Sequence, residues 1–213
     1  YESDRYGFNN PDFEWDKNEI EYFLVGDSYT HGACVNRPND IASILRTLSN
    51  KSALNLGYGG NGPLIEYATL REYSDLNIKN IFFIYYEGND LFELDLELQN
   101  KTLNNYLKDL NFTQNLKEKQ NLINESVNNT INEVVEIKKL AKSFKLKLFK
   151  FLKMYNLRVS IFKPPNKKPR LRQTELKKIL KLADDLANQN GSNFYFVYLP
   201  EYKRYTTKYD NEY

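Results

Sequence analysis

Short apolar runs alternate with segments of helical spacing through much of the chain. Ile20-Glu21-Tyr22-Phe23-Leu24-Val25 ends at Gly26 and predicts a buried strand. Ile41, Ile44, Leu45 and Leu48 recur at helical spacing and predict a helix over 41–48. A second strand is predicted over Ala53-Leu54-Asn55-Leu56, closed by Gly57, Gly59, Gly60 and Gly62. Leu64 to Tyr73 follows as a helix, with Pro63 suited to its first turn. Ile81-Phe82-Phe83-Ile84-Tyr85-Tyr86 is continuous, β-prone and apolar, as a central parallel strand should be. A helix over Glu175 to Leu186 leads to a fourth strand, Asn193 to Leu199, stopped by Pro200. Strands that alternate with helices imply βαβ units and a parallel sheet. The alternation breaks between Leu91 and Pro169, a span longer than one crossover needs. The whole chain, 1–213, therefore reads as a single α/β domain with a helical insertion at about 95–170. The insertion's predicted helices are Asn121 to Leu140 and Ala141 to Tyr155, followed by the basic, extended linker Pro164 to Pro169. Tyr1 to Asp16 is a polar, aromatic lead-in with turn formers at Gly7 and Pro11.

Composition narrows the class. Of 213 residues 41% are hydrophobic and 15% aromatic, more large apolar groups than a disordered chain carries. No apolar run reaches the ~18–20 residues that cross a bilayer. No signal peptide is read; because the chain opens at Tyr1 rather than Met, that carries no information on targeting. A single cysteine, Cys34, excludes an internal disulfide, and one Cys with one His gives no metal-ligand spacing. Net charge is only +2, but from Lys138 to Lys181 Glu175 is the one acidic residue. Within that stretch Ile137, Leu140, Ala141, Phe144, Leu148, Phe151, Leu152 and Tyr155 keep helical spacing, with lysines interleaved. The favoured reading is an apolar face that covers the sheet or the site while lysine stems snorkel outward. The alternative is contact with an anionic membrane surface through the basic 138–181 stretch. No nucleic-acid module is recognised, so no nucleic-acid partner is expected.

The residues that carry chemistry sit where strands end. In an open α/β sheet, the loops at the carboxyl ends of the strands form the ligand site. Gly26-Asp27-Ser28 follows the first strand and puts a hydroxyl at the start of a helix, where backbone N–H groups face an incoming oxygen. Asn55-Leu56-Gly57-Tyr58-Gly59-Gly60 follows the second strand, and its glycines let the backbone approach a ligand. Gly88-Asn89-Asp90 follows the third and supplies a side-chain amide. Three successive strands thus deliver a nucleophile or a donor to one rim.

This ordered set resembles blocks I, II and III of the SGNH (GDSL-like) hydrolase family, closely over about residues 20–92 and more loosely over the strand at 193–199. The resemblance implies a flavodoxin-like three-layer α/β/α sandwich whose parallel sheet has five strands, four of them present here. It implies Ser28 as nucleophile, with the N–H groups of Ser28 and Gly60 and the amide of Asn89 as oxyanion hole. Asp27, Gly88, Asp90 and His31 would surround them. No cofactor and no metal is implied. The family's base comes from an Asp-x-x-His block near the C-terminus, and that pair is not present in this chain. It closes on Tyr209-Asp210-Asn211-Glu212-Tyr213, so the sequence is expected to be an excerpt. His31, the only histidine, follows Ser28 too closely to turn back as base and is expected to line the pocket or pack beside the nucleophile turn. The expected activity is acyl-ester hydrolysis or transfer on a small-molecule or carbohydrate ester, including lipid and cell-envelope esters. The lead-in Tyr6-Gly7-Phe8-Asn9 resembles that of membrane-tethered bacterial members, which favours an extracytoplasmic or membrane-associated setting. Two rivals stand beside this reading. One is a non-catalytic binding module on the same fold. The other is a nucleotide-binding α/β protein, because Gly57-x-Gly59-x-x-Gly62 satisfies the dinucleotide fingerprint. The carboxylates Glu87, Asp90 and Glu93 read as local caps and rim charges rather than a glycosidase pair.

Overall fold

The computed structural model describes residues 2–141 and 172–206. Two compact units divide the chain: Tyr1–Lys117 with Pro169–Tyr213, and Glu118–Lys168. The first unit holds one sheet of β1 (Ile20–Gly26), β2 (Ala53–Asn55), β3 (Ile78–Tyr86) and β4 (Asn193–Leu199). Every pair is parallel and the order is β2-β1-β3-β4. Helices flank it: α1 (Ser28–His31), α2 (Ile41–Ser49), α3 (Pro63–Tyr73), α4 (Asp90–Glu97), α5 (Lys101–Lys108), α7 (Gln173–Gln189) and α8 (Lys203–Thr206). This is the α/β fold that the alternation predicts, and its all-parallel sheet is consistent with a flavodoxin-like sandwich. The second unit contributes α6 (Gln120–Ala141), close to the predicted 121–140. The predicted helix Ala141 to Tyr155, the linker Pro164 to Pro169 and most of the basic 138–181 stretch lie outside the described residues. Among those described, no helix is long and apolar enough to cross a membrane.

The main core lies on one face of the sheet. Register places Phe23 opposite Ile81 and Val25 opposite Phe83, and these residues are buried with Leu54 and Tyr85. Over them pack Leu64, Tyr67 and Leu70 of α3 and Ile179, Ala183 and Ala187 of α7. The break in alternation near Leu91 does not mark the start of the second unit. Residues 90–117 stay with the first, because Leu94 and Tyr106 are fully buried in the core and Leu103, Phe112 and Leu116 pack around it. Arg71 ties this arm down by donating to the carbonyl oxygens of Tyr106, Leu110 and Phe112. Glu72 accepts from the backbone N–H groups of Gln114 and Leu116.

Helix α2 departs from the usual rule. Its apolar spacing is that of a face turned inward, yet Ala42 and Ser43 are buried while Ile41, Ile44 and Leu48 are 37%, 44% and 81% exposed. The polar side holds it instead. Asp40 caps the helix by accepting from Ser43 N at 3.0 Å, and Arg46 donates from Nε to Ala53 O at 3.0 Å and from Nη2 to Asn10 Oδ1 at 2.9 Å. The lead-in is docked by the same network: Asn10 Nδ2 donates to Asn55 O at 2.9 Å, and Asn55 N donates back to Asn10 Oδ1 at 2.8 Å.

Candidate active site at the carboxyl rim

Because β1 lies between β2 and β3, the loops leaving these strands are neighbours. Gly26 ends β1. Asp27 then takes the N-cap position of α1, its carboxylate accepting from Tyr29 N at 2.8 Å. Ser28 is the first residue of that single helical turn and is partly exposed. Its Oγ donates to Asp27 Oδ2 at 3.4 Å, longer than the ~2.6–3.2 Å expected between a nucleophile and its base. Asp27 is buried, and burial raises its proton affinity against the opposing pull of the Tyr29 N–H.

The glycine loop after β2 wraps the turn that carries Ser28. Tyr58 N donates to Gly26 O at 3.1 Å, and Asn61 N to Tyr58 O at 3.2 Å. That second bond closes a turn over 58–61 with Gly60 at φ +87°, the left-handed third position that requires glycine or Asn. Gly57 is needed for approach: a Cβ there would lie 2.6 Å from both His31 N and Thr30 Cβ. A Cβ at Gly59 would lie 3.7 Å from Ser28 Cβ, which sets this loop directly beside the hydroxyl-bearing residue. Gly60 is exposed, and its N–H makes no hydrogen bond among the described residues. Asn55, fully buried, ties the two loops by donating to Thr30 O at 2.6 Å and accepting from Gly57 N at 2.9 Å. His31 is also buried. Its Nδ1 lies 3.2 Å from Gly57 O and its ring stands edge-on to Tyr58, so it packs between the Ser28 turn and the glycine loop.

The third loop closes the group. Asn89 precedes α4 without capping it; instead Nδ2 donates to Glu93 Oε1 at 2.9 Å. That bond uses one amide hydrogen and leaves the second. Asp90 is fully buried and accepts from Tyr86 N at 2.6 Å; burial pushes its carboxyl up to about 8. Gly88 is exposed. A Cβ at Gly62 would lie 2.8 Å from Glu93 Cβ, and the rings of Tyr29 and Tyr86 are 4.5 Å apart. Thus α1 touches the glycine loop and the end of β3, and the glycine loop touches α4.

Beneath this rim lies a group of carboxyls that the sequence pattern does not reveal. Glu66 is fully buried and neither oxygen has a hydrogen-bond partner among the described residues. Burial, reinforced by the carboxyls of Asp90, Glu97, Asp27 and Glu93, raises its proton affinity well above that of an ordinary glutamate. Glu93 is raised by burial too. Glu97 accepts from Gly62 N at 2.6 Å and Leu64 N at 3.0 Å, and burial pushes it up to about 7. Asp90, Glu93 and Glu97 recur at helical spacing on α4, a pattern that usually marks a solvated face; only the tertiary packing turns it inward. Glu87, read as a rim charge, is buried against Arg204, which lowers it to about 2. Among the described residues no group of three or more His, Cys, Asp or Glu is arranged to hold a metal.

The dinucleotide reading meets a physical obstacle. A pyrophosphate needs free N–H groups where the glycine loop enters α3, and Glu97 already occupies those of Gly62 and Leu64. Comparison with protein-family models, with curated proteins and with solved structures finds no match to this chain.

Proposed function

We propose that the protein is a serine-dependent acyl-ester hydrolase or acyltransferase with Ser28 as nucleophile. The observation that supports this reading is the packing of the glycine loop beside a hydroxyl at a helix start, with the end of β3 adjoining the same helix turn. A Cβ at Gly59 would stand 3.7 Å from Ser28 Cβ, the Gly60 N–H makes no hydrogen bond among the described residues, and Asn89 donates to Glu93. In the reaction Ser28 Oγ bonds to the ester carbonyl carbon while its proton passes to a base. The carbonyl oxygen gathers negative charge and is met by the N–H groups of Ser28 and Gly60 and the Asn89 amide. The ester C–O bond then breaks and the alcohol departs with that proton. Water or an acceptor alcohol repeats the sequence to release the acid or a new ester. Each preorganised donor contributes about 2.7–4 kcal/mol to lowering the barrier. The base required is an imidazole from outside these 213 residues, since His31 is the only histidine among them and its Nδ1 is directed at Gly57.

That last observation also favours a second reading, a binding module that retains the rim without turning over a substrate. A fluorophosphonate probe separates them. In a protein that carries its imidazole base, labelling that disappears in Ser28→Ala and slows about 10²–10³-fold in Asn89→Ala supports the hydrolase. Equal labelling of wild type and Ser28→Ala excludes it.

A further inference from the structure

A cavity of about 480 Å³ opens beside Ser28, which forms part of its wall. Small-molecule sites commonly measure about 300–1,000 Å³. Tyr29, Ala33, Val35 and Ile41 give it apolar side chains. Asp40 also borders the cavity, but its carboxylate is committed to the helix cap, accepting Ser43 N at 3.0 Å and Ser43 Oγ at 2.6 Å. Asn39 adds a polar side chain to the wall, so the surface left to a ligand is mainly, not wholly, apolar. Tyr29 and Val35 are 52% and 47% exposed, large apolar groups held open to water where the rest of the rim offers amides.

The apolar surface does not stop at the cavity. Ile41 begins α2, and Ile44 and Leu48 lie three and seven residues on, along the same helical face. All three are exposed because α2 is held to the sheet through its polar side. An apolar track thus starts at the Ser28 hydroxyl, crosses Ile41 and continues along α2. The glycine loop and Asn89 are built differently: they present hydrogen-bond donors suited to an ester carbonyl.

We propose, resting on the esterase reading of Ser28, that the acyl group this site accepts is a straight alkyl chain seated between Tyr29, Ala33, Val35 and Ile41, running out over Ile44 and Leu48 as it lengthens. A short polar acyl group would leave that track in water. Each methylene buried against it strengthens binding by about fourfold, until the chain passes Leu48.

The test measures binding separately from chemistry. Ser28→Ala is titrated with straight-chain alkanoates from acetate to decanoate, following the methyl signals of Val35 and Ile41 by NMR. The expected result is affinity that rises about fourfold per methylene over part of the series, with shifts centred on those methyls. Val35→Asp and Ile41→Glu should flatten the rise; an acidic residue at the first position of α2 suits a helix N-terminus, so the second variant keeps its fold. Phe13→Ser, a change at an equally exposed apolar residue of the lead-in, should leave the rise intact. Cys34 gives a check that needs no mutation, since it is exposed in the cavity wall and is the only cysteine of the chain. A bulky maleimide there should abolish the rise. Affinity independent of chain length overturns the proposal even if the fluorophosphonate labels Ser28. Graded binding at Val35 and Ile41 without any labelling of Ser28 upholds the alkyl track and removes the esterase reading instead.

Discussion

Replacing Glu97 by Gln tests the energetics of the buried carboxyls directly. Glu97 is only 6% exposed, and burial raises its carboxyl from 4.5 to about 7. At ~1.4 kcal/mol for each tenfold change in proton affinity, this amounts to about 3 kcal/mol. The sign follows from linkage: between these two values the folded state holds a proton that the unfolded chain has released, so stability falls as pH rises. The contribution is fully present below 4.5 and gone above about 7. Glu66, Asp90, Glu93 and Asp27 are displaced in the same direction, so the wild-type chain should lose stability between pH 5 and pH 8. In Glu97→Gln the amide oxygen still accepts from one of the two N–H groups of Gly62 and Leu64, the other being lost at every pH, and no charge is forced inside at high pH. Urea unfolding at pH 5 and pH 8 gives the comparison. The variant should lose about 3 kcal/mol less than wild type across this interval. Parallel pH dependence in the two chains would mean that Glu97 is solvated and that the packing assigned to α4 is wrong.

Two further outcomes can be measured simply. Gly57→Ala puts a methyl 2.6 Å from the backbone N of His31; overpacking of this kind costs about 1–3 kcal/mol, seen as a lower urea midpoint, and the displaced loop should slow fluorophosphonate labelling of Ser28. Arg204→Ala removes the partner that holds Glu87 near 2, so the Glu87 carboxyl should titrate at higher pH by NMR, and amide exchange over 201–206 should quicken; unchanged exchange refutes the tie.

The fold was readable because the strands announce themselves. Ile81 to Tyr86 is apolar on both faces, as a strand covered on both sides must be, and Gly26 and Pro200 punctuate the ends of β1 and β4. Ser28, Gly60 and Asn89 could be picked out by their place after successive strands. What escaped depends on tertiary context. Asp90, Glu93 and Glu97 carry the spacing of a solvated face, and nothing local shows that Gly62 would press against it. Helix α2 misleads in the opposite sense, since periodicity cannot report that Arg46 and Asp40 bond inward and leave the isoleucines outside. The part of this arm over 95–117 was assigned to the insertion because the alternation of strand and helix stops there. Its attachment rests on Arg71 and Glu72 reaching across about forty positions, beyond any window of sequence pattern.

The contact of Glu87 with Arg204 has a mechanical consequence. Glu87 stands two residues before Asn89, and its carboxylate also accepts from Glu201 N at 2.9 Å. The stretch leaving β4 and the turn that aims the Asn89 amide thus share one anchor. A load on residues 201–206 would therefore reach the chain leaving β3 at Glu87 without crossing the hydrophobic interior.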